Sequence, residues 1–251
     1  MYDAATRASA LTRIDAGESL RSISLSSGVN RATLREWRER NGAYAPSVMA
    51  CPCPRCDNTV AEAADPYVYL PGQYLGDGSI QRVGRSFALR IFCCDAYPDL
   101  MDDVEAAMRA LVARSVCRVP AVGCTVVQSY TKRWLHLFPQ HGPGMKHTHP
   151  IVLEPWQLEL VNRDPRPLIR GLIHSDGCRV TNWTERRVGG TTKRYTYPRY
   201  FFSNASDDIR GIFTDALDLL GIAWRQSNPR NISIARREAV AALDVFVGPK
   251  R

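Results

Sequence analysis

The chain has 251 residues, 45% of them apolar, which is enough for one large core or two to three small ones. No stretch approaches the roughly 20 apolar residues that span a bilayer, and the first residues lack the apolar core of a signal peptide. The net charge of +8 favours a polyanionic partner.

Residues 5–41 read as three short helices. Ala8, Leu11 and Ile14 give the first an apolar stripe, and Gly17 ends it. Ser19 caps the second, which carries Leu20 and Ile23. A Gly28-Val29-Asn30 turn leads into a third helix from Arg31. Leu34 and Trp37 point inward on it, and Arg31, Arg35 and Arg38 outward. An isoleucine, a glycine five positions on and a following valine resemble the helix-turn-helix of resolvases and transposases. That resemblance implies that the third helix enters the major groove with its first residues nearest the bases. Asn30, Arg31, Thr33 and Arg35 are then the expected DNA contacts of a domain over 1–43. A small helical interaction module with a solvated arginine face is the plainer alternative.

Residues 44–64 form a linker. The eight cysteines of a chain expected to be intracellular read as thiols or metal ligands rather than disulfides. Cys53 and Cys56 have the spacing of a zinc chelate, with Cys51 beside them. A closed structural site needs four ligands and no second such pair follows. A structural Zn²⁺ and a proline-rich turn with free thiols both remain open.

The rest of the chain is organised around two matching stretches. Leu168 to Gly177 is an apolar run at helical spacing that ends in Asp176-Gly177. Leu70 to Gly78 ends the same way, in Asp77-Gly78. Laid on each other, Gly72 falls on Gly171 and Gly76 on Ser175. An Asp-Pro pair stands twelve residues ahead of each terminal aspartate, at Asp65 and Asp164, which suits an N-cap and first helical position. Glycine inside a helix costs roughly 1 kcal/mol, so these small residues need a reason. Small residues four apart share one face and let two backbones approach closely. The two helices are expected to pack on each other through Gly72, Gly76, Gly171 and Ser175. Each then delivers its aspartate to a shared floor. Two close carboxylates repel unless a cation joins them, and hard divalent ions take oxygen ligands. Pro71 breaks the match; inside a helix it costs about 3 kcal/mol, so the first helix is expected to start near Leu70 or to kink.

Each motif is followed by the same order of elements. After Asp77 come a hairpin over 79–92, a helix from Pro98, a hairpin over 116–128 and a short helix over 131–138. After Asp176 come strands over 178–184 and 192–202 around Gly189-Gly190, a helix over 207–219, a hairpin over 222–235 and a closing helix over 236–247. His141, His147 and His149 lie in a Gly/Pro-rich connector beside Lys146, a setting that suits a DNA-facing or solvated loop better than a metal site.

The paired stretches resemble the dodecapeptide motifs of the LAGLIDADG homing endonucleases, over roughly Asp65 to the C-terminus. The resemblance implies an α+β fold, a pseudo-twofold pair of αββαββα halves over 65–139 and 164–251 joined by a connector over 140–163. A small all-α helix-turn-helix domain precedes the pair. It implies that Asp77 and Asp176 bind Mg²⁺ or another divalent cation with backbone carbonyls near Gly76 and Ser175, and that curved sheets straddle double-stranded DNA. Arg82, Arg90, Arg179, Arg186, Lys193 and Arg194 on the expected strands would touch that DNA. Family members add a basic residue near the end of each half's last strand; by position these are Lys132 and Arg236 or Arg237. The expected function is a sequence-specific double-strand DNA endonuclease, acting as a monomer in the cytoplasm at the nucleoid. A catalytically inactive transcriptional regulator on the same fold is the alternative, favoured by the helix-turn-helix and by Pro71.

Overall fold

The computed structural model of the protein describes residues 2–39, 55, 60–111, 115–142 and 144–250. The cysteines proposed for zinc, Cys51, Cys53 and Cys56, lie outside these residues. The chain divides into two units, Met1–Pro52 and Cys53–Arg251.

The first unit holds helices α1 (Ala4–Asp15), α2 (Leu20–Ser27) and α3 (Arg31–Glu39). Asp3 caps α1 by accepting from Thr6 N–H at 2.6 Å, and Ser19 caps α2 by accepting from Ser22 N–H at 3.1 Å. Gly28 ends α2 with φ +70°, a conformation that favours glycine. Ala10, Ile23, Val29 and Leu34 form a small core, with Ile14, Leu20 and Trp37 packed against it. Ala8 of the expected stripe is exposed and Ala10 is buried in its place.

The second unit begins with α4 (Ala64–Asp77), followed by β1 (Gly78–Val83), β2 (Ser86–Cys94) and α5 (Pro98–Leu111). β3 (Val116–Ala121), β4 (Cys124–Tyr130) and the short α6 (Trp134–Leu137) complete the first half. A connector containing α7 (Pro155–Arg163) leads to α8 (Arg166–Asp176). The second half continues with β5 (Gly177–Val188), β6 (Thr191–Ser203), α9 (Asp207–Leu219), β7 (Arg225–Asn228), β8 (Asn231–Ile234) and α10 (Arg237–Asp244). The two antiparallel sheets repeat one strand order, β1-β2-β4-β3 and β5-β6-β8-β7. This is the expected α+β pair of αββαββα halves.

The motif helices differ in detail from the sequence reading. α4 starts at Ala64 with Ala63 as its cap residue, so Asp65 lies in the first turn instead of capping it. The helix also continues through Pro71 rather than beginning near Leu70. Pro71 has no N–H for the Tyr67 carbonyl, and the burial of Tyr67, Leu70 and Tyr74 outweighs that loss. On α8, Asp164 accepts from Arg166 N–H at 3.0 Å and holds its guanidinium at 2.8 Å, so it does organise the entry to the helix.

α4 and α8 pack along their small residues. A Cβ on Gly72 would lie 2.7 Å from the Leu168 carbonyl oxygen and 2.8 Å from Leu172 N. A Cβ on Gly171 would overlap the Tyr69 carbonyl oxygen. No side chain longer than hydrogen fits at either place. The Ser175 hydroxyl lies between two carbonyls, that of Leu172 on its own helix at 3.1 Å and that of Gly72 across the contact at 3.3 Å. One apolar core runs under both halves, from Tyr67, Leu89 and Trp134 to Phe202, Phe213 and Leu243.

The halves are unequal. β5 and β6 have 12 and 13 residues, against 6 and 9 in β1 and β2. β8 pairs with β6 only over Tyr200–Ser203, so the rest of the β5–β6 hairpin is a two-stranded ribbon. The ladder continues beyond the expected strand ends up to Gly189 and Gly190. Their φ values of +60° and +81° suit the tight turn of a twisted hairpin.

Candidate functional site

Each motif helix runs directly into the first strand of its sheet, so Asp77 and Asp176 sit where helix ends and sheet begins. Both line one cleft of about 1080 Å³, together with Ser79, Gln81, Lys146 and Asn204. Burial pushes the Asp77 carboxyl up to about 6; the charge of Asp176 adds to this, and the ammonium groups of Lys250 and Lys146 oppose it. Asp77 is exposed toward the cleft. Burial also raises the Asp176 carboxyl, against a 2.5 Å hydrogen bond donated by Asn204 Nδ2–H to Asp176 Oδ2.

Two lysines stand at the ends of the motif helices, Lys146 in the cleft lining and Lys250 at the end of α8, and neither is a residue named from the sequence as a basic partner. Lys146 Nζ donates to the Gly76 carbonyl at 3.1 Å, the Gly78 carbonyl at 2.6 Å and the Tyr74 carbonyl. Lys250 Nζ donates to the Ser175 carbonyl at 3.2 Å and the Gly177 carbonyl at 2.5 Å. Each ammonium therefore caps the C-terminus of one motif helix, where the carbonyls lack helical donors and the dipole favours a cation. Burial lowers Lys146 to about 8, with the charges of Asp176 and Asp77 opposing. Burial lowers Lys250 as well, against the charge of Asp77 first.

The lysines arrive by different routes. Lys146 hangs on the connector, whose ends are fixed by a buried amide pair. Gln140 Nε2–H donates to the Val152 carbonyl at 2.8 Å and to Gln157 Oε1 at 2.5 Å. Gln157 Nε2–H donates in turn to the Tyr67 hydroxyl on α4 at 2.7 Å. Lys250 lies at the end of the tail after α10. His174 Nε2–H on α8 donates to the tail carbonyl of Val247 at 2.8 Å. Its Nδ1 faces the Tyr69 hydroxyl on α4 at 3.3 Å, and Gln73 Nε2–H donates to that hydroxyl at 2.8 Å.

The residues expected as basic partners lie elsewhere. Lys132 follows β4 and is exposed, and Arg236 is the exposed cap residue of α10; neither lines the cleft. Counting from strand ends pointed to them, but the chain passes on before returning a lysine to the helix terminus. One repeated signal accompanies the two lysines that reach the helix termini. Gly144-Met145-Lys146 and Gly248-Pro249-Lys250 each place lysine two residues after a glycine with positive φ, +84° and +69°. The connector histidines serve this loop: His141 Nδ1 meets the Tyr74 hydroxyl at 3.5 Å, and His149 Nε2 meets the Gln140 carbonyl at 3.5 Å.

The donor set suits a hard divalent cation. It consists of two carboxylates and the Gly76 and Ser175 carbonyls, all oxygen, with both carboxyls raised by burial. Among the described residues no three His, Cys, Asp or Glu side chains group around one point, so carbonyls and water would complete the shell.

Strand parity sorts the surface residues. Leu89, Ile91 and Cys93 of β2 are buried against the helices, so Arg90 and Phe92 face the other way. In the second half Tyr200 and Phe202 face the helices, so Arg199, Tyr197, Tyr195 and Lys193 take the outer face, with Arg186 opposite Lys193. Arg90, Arg186 and Lys193 are thus together on the faces turned from the helices. Arg82 shares its face with Ile80 and donates to the Gly84 carbonyl. Arg179 pairs with Asp244 at 2.7 Å on the helix side. Arg194 stacks over Trp183, 4.3 Å from its ring centroid, on that same side of the ribbon. In the first unit Asn30, Arg31 and Arg35 are exposed and Thr33 is half-buried.

No protein-family model matches the sequence, and no curated protein matches it. Solved structures do. The homing endonuclease I-DmoI in complex with DNA and Mn is 12% identical, over 74% of this chain and 98% of that one, with a TM-score of 0.48. The LAGLIDADG meganuclease I-AabMI bound to uncleaved DNA is 9% identical, over 72% and 82%, with a TM-score of 0.46. The N-terminal LAGLIDADG domain of WhiA is 10% identical, over 75% and 83%, with a TM-score of 0.44.

Proposed function

We propose that this chain is a sequence-specific double-strand DNA endonuclease that hydrolyses one phosphodiester in each strand with a divalent cation. One observation carries the reading: Asp77 and Asp176 converge on a single cleft, each beside a lysine held at its own helix terminus. Two strands need two equivalent centres, and the repeated half supplies them.

Asp77 and Asp176, with the Gly76 and Ser175 carbonyls, would hold the cation. When bound it supplies positive charge to the scissile phosphate and to the oxygens entering and leaving it. Lys146 and Lys250 bring fixed ammonium groups to the same floor, where charge developing on phosphate oxygens is offset without reorganisation. The lowered proton affinity of Lys146, to about 8, also lets it pass a proton to a leaving oxygen near neutral pH. Asn204 fixes the Asp176 carboxylate through Oδ2. The outer faces of the sheets, with Arg90, Arg186 and Lys193, take the duplex. The first unit adds a helix-turn-helix contact through Asn30, Arg31, Thr33 and Arg35.

A second reading has its own observation. Two ammonium groups match two carboxylates one for one and already occupy the Gly76 and Ser175 carbonyls. That balance suits a regulator that binds DNA without cutting it. Incubating the chain with a randomised duplex library, in Mg²⁺ and in EDTA, and sequencing the ends decides between them. Metal-dependent cuts at one long site, lost in Asp176→Asn, are expected. Binding without cuts in Mg²⁺ would replace the nuclease with the regulator.

A further inference from the structure

Six described arginines of the second unit spend their charge on carboxylates: Arg109, Arg118, Arg166, Arg170, Arg179 and Arg210 pair with Asp or Glu. Two on the inner strands are held instead by neutral side-chain acceptors. Arg90 Nη1–H donates to Gln81 Oε1 at 2.6 Å and Nε–H to Gln128 Oε1 at 3.1 Å. Gln128 is itself fixed, donating from Nε2 to the Tyr130 hydroxyl at 2.9 Å. Arg199 Nε–H donates to Ser233 Oγ at 2.7 Å, and its guanidinium lies 4.7 Å from the Phe201 ring centroid. Among the described residues neither arginine has an ion-pair partner.

Their places are neighbouring rather than matched: counted from the motif ends, Arg90 falls on Phe201, and Arg199 stands two residues before it on the same face. β2 and β6 are inner strands with the same rank in the two sheets. Each arginine faces away from the helices and is held from the next inner strand, by Gln128 on β4 and by Ser233 on β8. Both are half-buried among neighbours. Neutral acceptors fix the direction of a guanidinium without cancelling its charge. Among the described residues Arg90 Nη2 makes no hydrogen bond, and neither does either Nη group of Arg199. The Nη pair of Arg199 is a directed, uncancelled fork that fits the O6 and N7 acceptors of guanine in the major groove, and Arg90 Nη2 is a directed donor for the same edge. A residue that only meets phosphate needs charge, and gains little from a fixed direction.

We propose that Arg90 and Arg199 each read one guanine, so the target carries one specified guanine in each half-site. This rests on the reading of the chain as a duplex-DNA binder, whether or not it cuts. Gln128 is the positioning residue for Arg90.

The test is selection of bound duplexes from a randomised pool in EDTA, with the full chain and with Arg90→Met, Arg199→Met and Gln128→Leu, each checked for an unchanged melting profile. The parent chain is expected to enrich guanine at one position in each half-site. Arg90→Met should flatten that preference in one half by roughly ten- to a hundred-fold, and Arg199→Met in the other, because methionine has no donor for guanine O6 or N7. Gln128→Leu should weaken the Arg90 guanine and leave the salt dependence of binding unchanged, which loss of fold would not do. Uniform weakening across all sequences with a shallower salt slope would make the arginines phosphate contacts and overturn the inference. Guanine preference surviving both methionine variants would overturn it too. A parent chain that binds no duplex would overturn the DNA reading itself, and the inference with it.

Discussion

Lys146 and Lys250 make the same contact in the two halves of the second unit. Lys146 donates to the carbonyls on either side of Asp77, those of Gly76 and Gly78. Lys250 donates to those on either side of Asp176, those of Ser175 and Gly177. One reaches the site from a connector loop and the other from the C-terminal tail, so the equivalence belongs to the site and not to the surrounding chain. Lys146→Met is expected to slow strand cleavage by about 10²-fold, the usual cost of losing one preorganised charged donor. Binding in EDTA should change only a few-fold. Single-turnover cleavage beside binding isotherms checks this; parallel losses in both would place Lys146 in DNA affinity alone.

Asp77 gives the site a pH dependence. Its folded value of about 6 lies above the ordinary 3.8. A carboxyl raised in this way stabilises the fold below the unfolded value and loses that contribution as pH rises through the folded one. In metal-free buffer, Asp77→Asn should therefore be more stable than the parent at pH 8. The gain is about 1 kcal/mol once screening at the open side is allowed for. The gap should close by pH 4. Divalent binding needs the ionised carboxyl, so Mn²⁺ affinity of the parent should fall below pH 6. Urea titrations at pH 4 and 8, with calorimetry of Mn²⁺ binding, read both effects.

The paired helices and their aspartates were legible because close packing demands small residues at fixed spacing, and that demand is local. Gly72, Gly76, Gly171 and Ser175 announce it without any knowledge of the fold. The element order of each half followed from periodicity and turn residues, and α9 was found end to end. Placement was less legible. Asp65 read as a cap, yet apolar Val60 and Ala63 extend packing upstream and the helix starts before it. Lys146 was visible only as one charge in a loop with three histidines. Its role depends on a return over 70 residues to the end of α4. Strand faces were illegible where the β5–β6 ribbon leaves the core, because every residue there is polar or exposed and alternation carries no signal.

The helix contact predicts opposite outcomes for two glycine substitutions. Alanine gains roughly 1 kcal/mol over glycine in a helix interior. Gly211 on α9 has nothing within 4 Å of an added Cβ, so Gly211→Ala should stabilise by about 0.5–1 kcal/mol. On α8, the Cβ of Gly171→Ala would drive into the Tyr69 backbone and lie 3.0 Å from Gly72 Cα. Backbone cannot step aside as a side chain can, so a net loss of about 1–3 kcal/mol is expected. Urea midpoints at constant slope measure both. A neutral Gly171→Ala would mean that the two motif helices do not pack this closely.

His174 links the helix pair to the tail that carries Lys250. The Val247 carbonyl can only accept, so Nε2 carries the proton and Nδ1 accepts from the Tyr69 hydroxyl. Burial lowers the ring to about 4, which keeps this neutral tautomer throughout the working range. A base whose folded value lies below its unfolded one adds stability above about 6.5 and loses it as pH falls toward 4. The parent should therefore lose on the order of 3 kcal/mol between pH 7 and pH 4 through this group. His174→Gln, which can still donate to Val247 and does not titrate, should lack that part of the slope. His174→Ala leaves the Val247 carbonyl and the Tyr69 hydroxyl unmet, costs about 1–3 kcal/mol and frees the tail. Cleavage by the alanine variant should fall well beyond its loss of stability while the glutamine variant recovers most of it. Equal cleavage by both variants at matched folded fractions would detach Lys250 placement from His174.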